Sequence, residues 1–490
     1  MFSKKNLATY TEVMAFSMLL FFTLLNINVI RIYKDTLSIV GVGVAKIGMV
    51  KGVLELPFSI LIMYICTILH RRLGRLSCFL IAISFFTIFF FLFGFVYYPN
   101  QEIFSHGVES FVNFMFSSLP YQGAFLSSVA STVRTGILQS PYIFLYIFGE
   151  VWVVVLYGFL IWSFIHTKTS RDSVKKHYPV YTLIGQLSII FSGYIMLKAK
   201  YTISTLIGVN CDVKMLALLI FITSVILVIS YLINYFSFPT LVQEQTKEQI
   251  KEQELKKSND SGNYFSRIID FLNEQKNIKQ MFIIIICYGF LATLIHLIWF
   301  HYLTIYYENN TSRLIEMQSY LNYYIGTLTI ILGVCARFIF NRFQWDKIFL
   351  SVPIIGGFFG VLFVLFVIFT NNVPADLEYG GLKIAYITIL IGNTYYILSR
   401  ALKYILFDTS KEIFFSWYNK NEAVLFQGKS LVDVLAFKIG KSSGAFCATM
   451  ILIFIQQGIL LNFSYVLLLI ATISVNYLWI SSAKKIKKLS

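Results

Sequence analysis

The feature that most constrains this chain is a succession of uncharged apolar runs, each about as long as a helix needs to cross a bilayer. The first contains VMAFSMLLFFTLLNI, residues 13–27, with no charge before Arg31. A hydrocarbon core of about 30 Å takes roughly 20 helical residues. Windows of that size fall at 12–30, 50–69, 78–98, 142–165, 179–199, 214–237, 279–303, 319–341, 348–370, 380–402, 434–457 and 463–482. Lipid offers the backbone no hydrogen-bond partners, so such runs must be helices that satisfy their own N–H and C=O groups. They lack the two-residue alternation of a membrane β-barrel. With 57% hydrophobic and 13% charged residues and a mean hydropathy of +0.72, the composition excludes a soluble enzyme or binding domain. The expectation is an all-α polytopic membrane protein of twelve transmembrane helices. Cysteines 66, 78, 211, 287, 335 and 447 lie scattered, mostly in apolar stretches, without the spacing of a metal or disulfide framework. No metal or cofactor is expected.

Lys4 and Lys5 precede the first run, which is too long for the apolar core of a signal peptide and has no small-residue cleavage site after it, so it reads as the first span. Basic segments such as HRRLGR, HTKTSRDSVKKH and the terminal KKIKK alternate with the spans so that all lie on the side of Lys4 and Lys5. The positive-inside rule then makes both termini cytoplasmic, and it accounts for the net charge of +16 without a nucleic-acid partner.

Residues 238–278 are polar and separate six spans from six. The domains expected are an N-terminal bundle, 1–237, a cytoplasmic linker, 238–278, and a C-terminal bundle, 279–490. Within the linker, Phe265, Ile268, Ile269 and Leu272 follow helical spacing, predicting a short amphipathic helix on the membrane surface. HRRLGRLSCFL after the second span and NRFQWDKIFL after the eighth occupy corresponding places. Six spans plus six with this repeat resembles the major facilitator superfamily, whose halves alternate access about a site near the bilayer midplane.

Several polar residues interrupt the runs. Arg31, Lys34, Lys46 and Lys51 follow the first span against only Asp35 and Glu55, on the side where cations are depleted. They are either anchors to lipid headgroups or the holders of an anionic ligand. Glu150 stands inside the fourth span, where a carboxylate costs about 2.5 kcal/mol or more and must meet protein or water: it either pairs with Arg31 or Lys34 or couples to substrate or proton. Lys441 opens the eleventh span, one turn after Lys438; Gly440, Ser442, Ser443 and Gly444 around it permit close helix approach and leave room for a phosphate. Neither QGKS nor IGKS is a P-loop, since the earlier glycine is missing from both. His296 lies in the seventh span, either as a packing residue or a proton carrier. Tyr142, Tyr146 and Trp152 are aromatic residues able to stack a nucleobase or simply to fill the fourth span.

Taken in order, IRIYKDTL, GEVW, KYILFDTSKE and GKSLVDVLAFKIGKSSG resemble segments of the ATP/ADP antiporter family of plastids, obligate intracellular bacteria and microsporidian parasites. The resemblance implies transport of ATP, ADP and possible further purine nucleotides through a monomer in the lipid bilayer, without nucleic acid. It implies the cell membrane of an intracellular parasite or bacterium as location, an organelle membrane being the alternative. Its functional positions fall on Lys34, Glu150 and Lys441, with Arg31 and Ser442 beside them. His296 stands where the family has a carboxylate, and Ile32, Thr409 and Ser443 also depart from its pattern. Exchange of ATP for ADP is the leading expectation. Proton-coupled nucleotide import is the alternative, and a membrane-embedded transferase ranks below both because no clustered acid, base and acceptor is visible.

Overall fold

The computed structural model describes residues 4–104, 109–110, 137–168, 171–207, 212–238, 264–371, 378–379, 382–416, 424, 428–429, 431–456 and 461–486. The N-terminal half contains α1 (Lys4–Val42), α2 (Val44–Val53), α3 (Glu55–Leu92), α4 (Ser140–Val153), α5 (Trp162–Lys168), α6 (Arg171–Ile207) and α7 (Asp212–Ser237). Helix α8 (Tyr264–Glu274) leads into α9 (Lys276–Tyr306), α10 (Thr311–Arg342), α11 (Trp345–Asn371), α12 (Ile384–Leu402), α13 (Asp408–Ser416), α14 (Phe437–Gln456) and α15 (Leu461–Lys485). A two-residue antiparallel hairpin, Glu378–Tyr379 with Leu382–Lys383, precedes α12. Wider π-helical turns, Val154–Ile161, Lys403–Phe407 and Leu431–Ala436, join α4 to α5, α12 to α13 and lead into α14.

Two glycines set the chain direction. Gly43, at φ 95°, turns α1 back into α2, and Gly74, at φ 80°, breaks α3 between the second and third apolar windows. Both conformations are left-handed and favour a residue without Cβ. Helix overlies most of the described residues of every one of the twelve windows, in the tenth from Ile384 onward. Among the described residues nine helices are long and apolar enough to cross a membrane, and Val44–Val53 with Pro57–His70 makes one further pair bent by 50°. The expected amphipathic helix is α8; its Ile268 and Phe271 are buried in one apolar cluster with Ile278, Met281 and Phe414 of the C-terminal half, while Ile269 is exposed. Linker residues 239–263 lie outside the described residues.

The packing repeats between the halves. In the N-terminal half α1 packs on α4, α6 and α7, and α3 packs on α7; in the C-terminal half α9 packs on α12, α14 and α15, and α11 on α15. These are corresponding helices of a parallel six-helix repeat. The two large contacts between halves, α2 on α14 and α6 on α10, also exchange under that repeat. Small residues make both possible: Gly52 admits the Ser442 backbone, and a Cβ on Gly193 would lie 2.5 Å from the Ser319 carbonyl oxygen. In lipid, where apolar burial gives helices little reason to associate, such close backbone approach supplies the dispersion contacts that do. Each half also carries one indole–amide hydrogen bond between its first and fourth spans, with donor and acceptor helices exchanged. Trp152 Nε1 of α4 donates to Asn26 Oδ1 of α1 at 2.9 Å, and Trp299 Nε1 of α9 donates to Asn393 Oδ1 of α12 at 3.0 Å. All four are buried, so each indole N–H finds the partner it needs away from water.

Candidate functional site

The site begins with Lys34 on α1, eight residues before the end of that helix and so about 12 Å below its turn into α2. Its stem fills the space left by Gly149 of α4, where a Cβ would collide with the Lys34 chain. This fit delivers the ammonium to Glu150, with Lys34 Nζ 2.8 Å from Glu150 Oε1. Lys34 also pairs with its neighbour Asp35 and lies 4.4 Å from the centroid of the Tyr146 ring. With 2% of its surface exposed, Lys34 depends on these partners, because a buried ammonium without them loses its hydration for nothing.

The second oxygen of Glu150 reaches across the molecule. Lys441 Nζ of α14 donates to Glu150 Oε2 at 3.0 Å and lies 3.5 Å from Glu55 Oε1, and Lys438, one turn earlier, pairs with the same Glu55 oxygen. The groups form one chain, Asp35, Lys34, Glu150, Lys441, Glu55, Lys438, linking α1, α3 and α4 to α14. Lys51 of α2 lies within electrostatic reach of Lys441, Glu150, Glu55 and Lys34. It makes no ion pair among the described residues, although only 6% of it is exposed. Gly440 and Gly444 bring α14 against the α9 backbone at Ile286 and Phe290, which fixes Lys441 relative to the rest of the C-terminal half.

The other expected site residues fall into three places. Arg31, half-buried on α1, donates from Nη1 to Asn28 Oδ1 at 3.3 Å and is within side-chain reach of Tyr404. His296 stacks on Tyr396 with centroids 5.3 Å apart and planes at 19°, and its Nδ1 has no hydrogen-bond partner among the described residues. Ser442 follows Lys441 at the contact between α14 and α2. Of the aromatic candidates, Tyr146 belongs to the lysine network, as its place beneath Lys34 shows. Trp152 is wholly buried against Phe86 and Asn26 inside the N-terminal half. Tyr142 donates to Gln101 Oε1 at 2.5 Å and packs on Phe93, toward the far end of α4.

Sequence reasoning missed a stripe that runs from α12 into the π-helical turn after it. Tyr396, Arg400 and Tyr404 recur every fourth residue; the Arg400 guanidinium lies 4.4 Å from the Tyr396 ring centroid, and Trp299 stacks on that ring at 4.6 Å. The signal was present as polar residues at helical spacing in YYILSRALKY, hidden because SRALKY also reads as a basic loop. A second ionic cluster ends the C-terminal half: Lys403 with Asp408 at 2.9 Å, Lys411 with Asp433 at 2.6 Å, and Lys429 with Glu412 at 2.5 Å. Among the described residues no group of acidic, cysteine or histidine side chains could hold a metal ion.

Two related helical bundles, spanning a membrane many times and bridged between halves by buried lysine–carboxylate pairs, define a secondary transporter and not an enzyme. The fold is similar to that of a D-xylose–proton symporter (TM-score 0.55, 12% identity, 98% of this chain and 100% of that one). It is likewise similar to the inward-open xylose transporter of E. coli (TM-score 0.51, 11% identity, 96% of each chain). The particular family follows from the sequence: the model of the TLC ATP/ADP transporter family matches residues 6–489, and the chain belongs to that family. Its relatives include ADP,ATP carrier protein 3 of Rickettsia typhi, 26% identical over 477 residues with 95% of this chain and 91% of the relative covered. ADP,ATP carrier protein 4 of the same organism is 28% identical over 491 residues, covering 96% and 90%.

Proposed function

We propose that this protein exchanges ATP for ADP across a membrane by alternating access, with Lys34, Glu150 and Lys441 at its centre. The observation that carries the reading is the bridge itself: one carboxylate, Glu150, joins a lysine from each half. A phosphate chain of about three or four negative charges presents the same kind of oxygen acceptors as Glu150. Bound between the halves, it takes over the two ammonium groups, and Glu150 is released. The cations keep partners in both states, so the exposed cost of an unpaired buried charge never arises while cargo is present. Leaving the halves without cargo requires the lysines to return to Glu150, which couples departure of one nucleotide to closure by the bridge and favours exchange over net movement.

In this reading the twelve helices cross the membrane with both termini cytoplasmic, and the turn between α1 and α2 lies outside. The membrane is the cell membrane of an intracellular bacterium or parasite. The test is uptake of labelled ATP by vesicles containing the protein, preloaded with ADP or left empty, with and without a proton gradient. Exchange predicts uptake only from preloaded vesicles. Uptake into empty vesicles that follows the proton gradient would replace exchange by proton-coupled import, and absence of any nucleotide movement would remove nucleotides as cargo.

A further inference from the structure

The cations between the two halves fall into two kinds. Lys34, Lys438 and Lys441 are matched by Asp35, Glu55 and Glu150. Lys51, Arg31 and Arg400 make no ion pair among the described residues. Asp35, an acidic group within electrostatic reach of Arg400, is already held by Lys34. Arg31 on α1 and Arg400 on α12 come from opposite halves and both lie near the phenols of Tyr396 and Tyr404, with Arg31 within side-chain reach of Tyr404. Lys51, Arg400, Lys34 and Glu150 all lie within electrostatic reach of His296. Arg31 and Arg400 are half-buried, whereas Lys34 is closed off; Lys51 is closed off as well, but it has no ion pair to give up among the described residues. Stacking on Tyr396 holds the Arg400 fork in place without consuming its N–H donors.

We propose that Lys51, Arg31 and Arg400 are the first seat of the cargo's phosphate chain, which docks on these uncompensated cations before it competes with Glu150 for Lys34 and Lys441. This rests on the nucleotide reading for the identity of the cargo, but the seat itself is a site for a polyphosphate. Among the described residues an incoming anion meets no carboxylate paired with these three groups, whereas each paired lysine must first give up an ion pair. Guanidinium groups from both halves engage two oxygens each, so the chain length of the phosphate, and not the base, sets the strength of docking.

The experiment is equilibrium binding of labelled ATP to the purified full-length protein, with competition by ADP, AMP and inorganic tripolyphosphate. Tripolyphosphate should displace ATP from the wild type. Arg400→Gln and Lys51→Gln should each weaken ATP and tripolyphosphate about tenfold or more, and AMP less than about threefold. Arg400→Lys and Lys51→Arg keep the charge and guard against loss of fold; Arg400→Lys should recover binding only in part, since an ammonium cannot present a fork. Wild-type affinities in both Gln variants, or an equal loss for AMP and ATP, would overturn the seat. If ATP binds but tripolyphosphate does not compete, the seat falls and the nucleotide reading stands. If labelled tripolyphosphate binds and ATP does not, the nucleotide reading falls and the seat stands.

Discussion

The protein has two ionic clusters of similar chemistry and different reach. One, at Lys34, Glu150, Lys441 and Glu55, lies inside the spans and ties one half to the other. The second, Lys403–Asp408, Lys411–Asp433 and Lys429–Glu412, lies within the C-terminal half and ties the end of α12 to the entry of α14. Around Lys411, burial disfavours the charge, but Asp433, Asp408 and Glu412 outweigh it and hold the amine above the usual lysine range. In the proposed cycle its partners stay the same, because all of them belong to one half, whereas the bridge between halves breaks each time cargo binds. On that proposal ion pairs that look alike serve opposite ends: one is broken by cargo, the other survives the motion.

The largest effect that separates them is loss of a bridging lysine. Lys34→Ala and Lys441→Ala should each lower nucleotide uptake about tenfold or more, since a charge-assisted bond to phosphate is worth roughly 1.5–3 kcal/mol. Uptake by cells expressing equal amounts of each variant checks this, and normal uptake would reduce the lysine to a structural residue. Lys34→Arg should restore only part, because the pocket beside Gly149 fits a slender stem and the fork would have to turn within it.

Next comes Glu150→Gln, which should slow exchange more than it weakens binding. The amide keeps the shape but cannot neutralise Lys34 and Lys441 when the cargo leaves. ATP binding and ADP-driven exchange measured on one preparation decide it; equal losses in both would show that Glu150 acts only as a scaffold. Smaller again is Lys411→Ala. Partly exposed pairs contribute on the order of 1 kcal/mol, so thermal stability should fall modestly while the affinity for ATP holds. A large loss of affinity would mean that the second cluster also takes part in transport.

Much of this was legible in the chain because the penalties that shape it are severe. An uncharged run of span length has one outcome in lipid, and a lone Glu150 within one must find partners. That is why Lys34, Glu150 and Lys441 stand out before any fold is known. Lys34 was already one of the two partners open to Glu150, but the arrival of Lys441 on the same carboxylate was not legible, since Lys34 and Lys441 are brought together only by the packing of α2 on α14 and of α1 on α4. Tyr396 and Arg400 were hidden for the opposite reason: their spacing is visible, but an arginine near the end of a span has an ordinary explanation as an anchor. Only the stacking of Trp299 and Arg400 on one ring shows that the stripe points inward.

The smallest effect concerns His296, where the family's pattern has a carboxylate. In this protein the imidazole stacks on Tyr396, next to Trp299, and its Nδ1 has no partner among the described residues. A group used here as a flat ring contributes by area and stacking, about 0.5–1.5 kcal/mol for an aromatic pair. His296→Phe keeps the ring and loses the nitrogens, so ATP affinity should stay within about threefold of the wild type, since part of even that small contribution survives the change. His296→Ala removes the platform under Tyr396 and should cost more. Comparing the two by ATP binding separates ring from nitrogen: if Phe fails as badly as Ala, the imidazole nitrogens touch the cargo and His296 joins the bridge, whereas a mild Phe and a harsher Ala leave the bridge to the lysines and Glu150.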